Sequence, residues 1–78
     1  MSITVLYFAG MKDVAGCAQE IVGLYPDSAR LFDVISAKYA FGVSQAQIRV
    51  AINGHFAAWD SPLHNGDVVA FIPPVSGG

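Results

Sequence analysis

The feature that most constrains this chain is that one segment, and only one, has the spacing of a long amphipathic helix. In residues 29–39, apolar side chains recur three or four positions apart, at Leu31, Val34, Ile35 and Tyr39. This periodicity predicts a helix that buries one stripe of side chains. A chain with one such helix can cover one face of a sheet and no more.

The sequence also marks the ends of this helix. Asp27 or Ser28 is suited to be the N-cap, which accepts a hydrogen bond from a free backbone N–H of the first turn. Gly42 is predicted to end the helix, because glycine readily takes the left-handed conformation of a C-cap. Phe32 lies off the centre of the apolar stripe, so its burial is left open.

Most of the remaining chain is typical of short strands separated by turns. Asn53-Gly54 is a strong hairpin signal, since both positions of a type I′ turn need positive φ. Asn65-Gly66-Asp67 predicts a second turn, and residues 10–16 are predicted to form a loop or a short helical turn. The five predicted strands are residues 3–8, 20–24, 48–52, 56–58 and 68–72.

The order of these elements predicts an α+β domain, in which one main helix packs on one face of a mixed sheet. We assign residues 1–72 to this domain and residues 73–78 to a flexible C-terminal tail. Pro73-Pro74 marks the boundary, because proline has no backbone N–H to donate to a sheet.

The sheet face away from the helix is predicted to be a partner surface. Successive strand residues point to opposite faces, so Leu6 and Phe8 share one side of the first strand. Hydrophobic residues make up 54% of the chain and charged residues 13%, which is more apolar surface than one small core can hide. Phe56 and Ile72 complete the predicted partner surface; ordinary exposed apolar surface is the alternative interpretation.

Composition excludes several classes of partner. The four basic residues are scattered along a chain of net charge −2, without the clustered basic face that nucleic-acid binding requires. No apolar run of about 18 residues is present to span a membrane, and the N-terminus has no signal-peptide pattern. These features favour a cytoplasmic protein that binds neither nucleic acid nor membrane.

Chemically versatile residues do not form the pattern of a metal or catalytic site. His55 and His64 flank turns and have no companion set of ligands. Asp60 and Asp67 lie beside turn residues, where aspartate commonly binds backbone N–H groups. Cys17 is the one cysteine. We therefore expect no metal and no catalytic machinery in this chain.

The C-terminal end is the segment that carries chemistry. Its prolines favour an extended backbone that leads away from the last strand, and six residues reach at most about 20 Å. Two terminal glycines fit a channel too narrow for a Cβ atom. The predicted arm, which would deliver its terminal carboxylate into another protein's site, consists of Pro73, Pro74, Val75, Ser76, Gly77 and Gly78.

A terminal carboxylate is a poor electrophile until it is activated. Adenylation by ATP would convert the Gly78 carboxylate to an acyl adenylate, which a sulfur nucleophile could attack. The product would be a thiocarboxylate, and the step requires no catalytic residue from this chain.

Several local features occur together and in a familiar order. Phe8-Ala9 ends the first strand, Asn53 closes the third, and Asp60 with Pro62-Leu63 precedes the second turn. The most specific feature is the ending, residues 69–78. In these features, and over essentially its whole length, the sequence resembles the small subunit of molybdopterin synthase, a MoaD-type sulfur carrier with the ubiquitin-like β-grasp fold.

This resemblance implies a function in molybdenum cofactor biosynthesis. Gly78 is expected to be adenylated by a MoeB-type, E1-like adenylyltransferase that uses ATP, and then converted to a thiocarboxylate. It would donate sulfur to cyclic pyranopterin monophosphate in a MoaE-type large subunit, within a heterotetramer. Phe8, Phe56 and Ile72 are expected to contact the partner, with the tail from Pro73 to Gly78 threaded into it. No cofactor is expected beyond the covalent thiocarboxylate.

Two other kinds of function remain open at this point. A sulfur carrier for another pathway, such as thiamine synthesis, or a protein modifier would use the same Gly-Gly end, but such proteins do not usually show the Phe71-Ile72-Pro73-Pro74 run. A β-grasp binding module with an inert tail would keep the apolar face and would tolerate loss of Gly78.

Overall fold

The computed structural model describes residues 1–73, in which five strands form one mixed sheet. The elements in chain order are β1 (Ser2–Tyr7), α1 (Ala9–Ala15), β2 (Gln19–Gly23), α2 (Ser28–Tyr39), a 3₁₀ helix (Gln45–Gln47), β3 (Arg49–Ile52), β4 (His55–Ala57) and β5 (Val68–Ile72). The strand order across the sheet is β2-β1-β5-β3-β4. The predicted architecture of one main helix on a mixed sheet is confirmed, and four of the five strands are shifted or trimmed by one residue from their predicted bounds.

The first and last strands pair in parallel at the centre of the sheet. β1 and β5 align from Thr4 opposite Val68 to Tyr7 opposite Phe71, and the other strand pairs are antiparallel. β5 is therefore paired along both of its edges, by β1 and by β3. A parallel pair cannot be closed by a tight turn, and here most of the chain forms the connection.

The turn between β3 and β4 is the predicted one. Asn53 and Gly54 have φ values of 52° and 85°, as both positions of a type I′ turn require. Asn53 Oδ1 accepts a hydrogen bond from the Val68 amide at 2.9 Å, and Asn53 Nδ2 donates one to Asp67 Oδ1 at 2.9 Å. Asn53 thus joins the hairpin to the start of β5.

The core lies between the sheet and α2. Alternate residues of β1 and β5 point into it, and Val5, Tyr7, Val69 and Phe71 are at most 1% exposed. The buried apolar residues are Ile3, Val5, Tyr7, Met11, Leu31, Phe32, Ile35, Ile48, Val50, Leu63, Val69 and Phe71. The core therefore lies mainly between α2 and one face of the sheet, as the sequence predicts, and Met11 of α1 adds to it.

The buried stripe of α2 is rotated from its predicted position towards Phe32. Phe32 is 3% exposed, whereas Val34, which was placed in the stripe, is 46% exposed. The Phe32 ring lies 5.3 Å from the Phe71 ring and 5.5 Å from the Trp59 ring, measured between centroids. An aromatic side chain buries more apolar area than a valine, so these contacts determine which face of the helix is buried.

The helix ends at Ala40, not at Gly42 as predicted. Ala40 is the C-cap with a φ of 53°, and Gly42 has a φ of 76° in the segment that follows. The rings of Tyr39 and Phe41 both pack on Tyr7, at centroid distances of 5.9 and 5.7 Å. The chain must reverse between these two rings, which places the left-handed residue at Ala40.

The structure also defines how α2 begins and how the segment after β1 folds. Asp27 is the N-cap of α2, and its side chain accepts a hydrogen bond from the Arg30 amide at 2.9 Å. The segment predicted as a loop or short helical turn contains the seven-residue helix α1, which buries Met11. Within residues 1–73, neither helix has the length and apolar character needed to cross a membrane.

A hydrogen-bonded carboxylate ties the edge strand β2 to β1 and α2. Glu20 Oε1 accepts hydrogen bonds from the Tyr7 and Tyr39 hydroxyls at 2.6 and 2.8 Å, and Lys38 Nζ lies 3.5 Å from Glu20 Oε2. Burial acts to raise the pKa of Glu20, but these donors outweigh it and hold the pKa below its usual value. Burial, followed by the contact with Glu20, raises the pKa of Tyr7 far above its usual range.

We predict that Phe32→Ala lowers the free energy of unfolding by about 3–4 kcal/mol, because it removes a buried ring and leaves a cavity. Val34→Ala should change the same quantity by less than about 0.5 kcal/mol, because the side chain is largely exposed. Urea denaturation of both variants measures the difference. Equal losses would contradict the observed rotation of the helix.

Stability should depend on pH through Glu20. Its pKa is lowered in the folded state, so its contribution is present above the unfolded-state pKa and is lost as the pH falls through the folded-state pKa. Glu20→Gln should therefore lower the free energy of unfolding by about 1 kcal/mol near pH 7.

The difference in the free energy of unfolding between the wild type and Glu20→Gln should shrink as the pH is lowered to about 3. Denaturation curves at several pH values would measure it. Asp13→Asn, which removes an exposed carboxylate from α1, is the control and should show no such trend. A Glu20→Gln difference that stays constant with pH would show that the ionised carboxylate is not responsible.

Candidate functional site

One face of the sheet is left uncovered by the described chain. The register places four residues in a row across four strands: Leu6 lies opposite Ala70, Ala70 opposite Ala51, and Ala51 opposite Phe56. Directly opposed residues of neighbouring strands point to the same face. The alternate residues of these strands form the core, so this row lies on the side away from α2.

This row forms the floor of an open apolar groove of about 270 Å³. Ala51 and Ala70 keep its centre low, and the flanking Phe8 and Phe56 are 45% and 61% exposed. The groove is lined by Leu6, Phe8, Ala51, Gly54, Phe56, Val68, Ala70 and Ile72. We call this side of the sheet the open face.

Apolar surface continues from the groove onto the edge strand β2. Thr4 of β1 lies opposite Ile21, so both point to the open face. Ile21 is 72% exposed. The exposed apolar area therefore extends beyond the groove, as is usual at protein interaction sites.

The chain leaves the sheet at one end of the open face. Tyr7 lies opposite Phe71, so the next residues of these parallel segments, Phe8 and Ile72, are neighbours. On the other edge of β5, Ile72 lies opposite Arg49. Pro73, the last described residue, follows directly. The C-terminal tail therefore starts between Phe8 and Arg49.

The three interface residues predicted from the sequence line the same groove, since Phe8, Phe56 and Ile72 all contribute to it. That a partner docks there stays a prediction. Sequence reasoning missed Val68 and Ala70, although the two-residue alternation of the last strand places them on the same side as Ile72. The predictions for the tail beyond Pro73 fall outside the described residues; they concern Pro74, Val75, Ser76, Gly77 and Gly78.

Sequence reasoning also missed Arg49, the one charged side chain among the strand residues of the open face. It shares this face with Ala51, two positions along β3. Its guanidinium carbon lies 4.2 Å from the centroid of the Phe56 ring, within the range of a cation–π interaction. Arg49 is exposed, and its alternation with Ala51 was the signal that could have found it.

Among the titratable residues of the described chain, Glu20 and Asp67 have structural roles. Among residues 1–73, no three His, Cys, Asp or Glu side chains come together in a way that could hold a metal ion. Asp67 accepts hydrogen bonds from the Asn53 side chain and the His64 amide, which lower its pKa. Residues 1–73 thus offer an open apolar groove and the starting point of the tail.

Comparison with known proteins bears directly on this arrangement. The sequence model of the ThiS family matches residues 5–78, from within β1 to the last residue. The chain belongs to the ThiS family. The match spans the strands that form the open face and the Gly-Gly end.

Individual relatives agree with this assignment. The chain is 34% identical to the molybdopterin synthase sulfur carrier subunit of Escherichia coli K12, over 97% of this chain and 99% of that protein. It is similar to the crystal structure of SAMP1, the small archaeal modifier protein 1 of Haloferax volcanii, with a TM-score of 0.81, 28% identity and 100% of both chains covered.

A third relative occurs in a complex. The structure of subunits 1 and 2 of the molybdopterin-converting factor from Helicobacter pylori 26695 contains a chain similar to this one, with a TM-score of 0.72 and 25% identity over 100% of both chains. The ubiquitin-like β-grasp fold and the resemblance to MoaD-type carriers, both predicted from the sequence, are confirmed.

Proposed function

We propose that this chain is the sulfur carrier subunit of a molybdopterin synthase and that Gly78 carries the sulfur. The observation that carries the proposal is the likeness, over nearly the full length, to a sulfur carrier subunit of that enzyme. The family match extends to Gly78, so the Gly-Gly end lies within the shared region. The chain acts as the sulfur-donating subunit, and its partners supply the catalytic groups.

The proposed chemistry begins at the Gly78 carboxylate. One of its oxygens attacks the α-phosphorus of ATP, pyrophosphate leaves, and an acyl adenylate forms. A hydrosulfide-type nucleophile then attacks the carbonyl carbon, AMP leaves with that oxygen, and the proton of the nucleophile passes to solvent. The result is a thiocarboxylate in which one oxygen has been replaced by sulfur.

Two partner proteins follow from this scheme. A MoeB-type, E1-like adenylyltransferase binds the ATP, so the chain itself holds no cofactor other than the covalent sulfur. A MoaE-type large subunit holds cyclic pyranopterin monophosphate, which becomes molybdopterin when its dithiolene receives two sulfur atoms, one from each of two carrier thiocarboxylates that return to carboxylates. We place both steps in the cytoplasm, with two small and two large subunits in the assembled synthase.

The open face is the proposed docking surface for the large subunit. Phe8 and Phe56 expose large apolar areas there, and the related chain from Helicobacter pylori occurs in a complex with a second subunit. Because β5 ends at one end of this face, docking would aim the tail into the partner. From Ile72 onward the tail can reach about 20 Å.

A role as a protein modifier is a second candidate, and the likeness to the small archaeal modifier protein of Haloferax volcanii favours it. Both functions begin with adenylation of the terminal carboxylate. They differ in the nucleophile, because a modifier forms an amide with a lysine amine and a sulfur carrier accepts sulfur. The products therefore differ in mass and in connectivity.

The proposal predicts a mass change confined to the last residue. Incubation of the protein with ATP, sulfide and an E1-like adenylyltransferase should add about 16 Da to Gly78, as expected for replacement of oxygen by sulfur. Intact-mass measurement and fragmentation would locate it. Deletion of Gly78, or addition of one residue after it, should abolish the change and leave the thermal unfolding curve unaltered.

Ser76→Thr is the matched control, because it keeps the hydroxyl and the length of the tail and should accept sulfur normally. Full molybdopterin formation by the Gly78 deletion in a reconstituted synthase would rule out the carrier role. Lysine-linked conjugates in place of the 16 Da gain would favour the modifier.

A second prediction concerns docking. Phe56→Asp should weaken binding to the large subunit at least about tenfold, because it places a charge in an apolar contact. The free energy of unfolding should change by less than about 1 kcal/mol, since the side chain is mostly exposed. Phe8→Asp should behave alike, and aspartate suits the N-cap position that Phe8 holds at α1.

Calorimetric titration measures the affinity of these variants for the large subunit, and urea denaturation measures their free energy of unfolding. Val34→Asp introduces the same charge on the exposed side of α2 and should leave binding unchanged. If the Phe56 and Phe8 variants lose stability and affinity together, these residues belong to the core and the docking assignment fails.

A further inference from the structure

We infer that Arg49 recognises a carboxylate, an Asp or Glu side chain, on the subunit that docks on the open face. The inference rests on the proposed function, because it assumes that the large subunit binds there. It adds a polar contact of defined chemistry to a surface that is otherwise apolar. Three observations support it: the position of Arg49, its contact with Phe56, and its lack of a carboxylate partner in residues 1–73.

Arg49 lies on the proposed docking surface, next to the point where the tail begins. It lies opposite Ile72, the last strand residue before the tail, and on the same face as Ala51 and Phe56. An interaction at Arg49 would therefore fix the carrier close to the point where the tail enters the partner. No other charged strand residue of the open face competes for that role.

The contact with Phe56 orients the guanidinium before any partner arrives. The guanidinium carbon lies over the ring, 4.2 Å from its centroid, within the range of a cation–π attraction. Stacking uses the face of the guanidinium and leaves its N–H edges available. Those edges match the two oxygens of a carboxylate and can form paired hydrogen bonds.

Within residues 1–73, no carboxylate pairs with Arg49. The basic side chains that lie close to a carboxylate within residues 1–73 are Lys38, 3.5 Å from Glu20, and His64, 3.8 Å from Asp67; Arg49 is not among them. Docking on the surrounding apolar groove would remove water from the guanidinium, and an unpaired charge is costly to desolvate. We therefore expect a partner that covers Arg49 to offer an acidic group, since a surface without one is disfavoured.

A simpler role is that Arg49 shields Phe56 from water and turns to solvent when the partner docks, as long cationic side chains often do. The two roles differ in what a neutral side chain of similar length would do. Methionine would cover Phe56 as well as the arginine stem does, and it would suit an apolar interface. A carboxylate of the docked subunit that faces residue 49, however, would lose the guanidinium that binds it.

The test compares Arg49→Met, Arg49→Lys and Arg30→Met in calorimetric titrations with the purified large synthase subunit. Arg30 is an exposed cation on α2, so its variant has the same change in net charge away from the open face. We expect Arg49→Met to weaken binding about tenfold or more, as when one partner of a covered charge pair is removed. The affinity of Arg49→Lys should lie between those of the wild type and Arg49→Met, because lysine keeps the charge and loses the planar fork of the guanidinium.

The remaining expectations are that Arg30→Met binds within about twofold of the wild type and that added salt weakens the wild type more than Arg49→Met. Arg49→Met that binds as tightly as the wild type, or more tightly, would overturn the inference and leave the proposed function standing. A wild-type thiocarboxylate that yields no molybdopterin with the large subunit would overturn the proposed function, and this inference with it.

Discussion

The parallel pairing of β1 and β5 is the interaction on which the rest of the structure depends. It joins the two ends of the described chain in the middle of the sheet, so the sheet cannot be completed until nearly the whole chain is available. Contacts this distant in sequence slow folding, because the intervening loop must close first. Once the pair forms, β2 and β3 have defined edges to join, and every strand residue is assigned to the helix side or to the open side.

The two sides of the sheet differ in how far their apolar side chains are buried. The side facing α2 is filled by aromatic rings around Phe32 and Phe71 and is held at its edge by the Glu20 hydrogen bonds. The other side has small alanines between exposed phenylalanines, an arrangement that forgoes hydrophobic stabilisation in the free protein. A domain of this size buries only about 60% of the surface of its unfolded chain. Leaving Phe8 and Phe56 in water therefore costs this small domain a substantial part of the apolar burial open to it.

Sequence reasoning succeeded where the signal was local. The Asn53-Gly54 turn, the alternation of β1 and a helix cap at Asp27 or Ser28 each depend on a few adjacent residues, and the structure confirms them with Asp27 as the cap. Phe8, Phe56 and Ile72 could be placed on one face because strand alternation has a period of two.

Local signals were insufficient where distant segments decide the outcome. Phe32 is buried because Trp59 and Phe71 pack against it, and α2 ends at Ala40 because Tyr39 and Phe41 must both reach Tyr7. No periodicity within residues 29–39 reveals those partners. The contact of Arg49 with Phe56 likewise depends on how β3 and β4 twist and pair, which the sequence of either strand does not specify.

The central position of β5 also has a mechanical meaning. The tail continues from a strand that is hydrogen-bonded along both edges. A pull along the strand, such as withdrawal of the tail from a tight channel would exert, loads those bonds together in shear. At the edge of a sheet, the same pull could open the bonds one after another. The described domain thus ends in the strand where such tension would be least able to separate it from its neighbours.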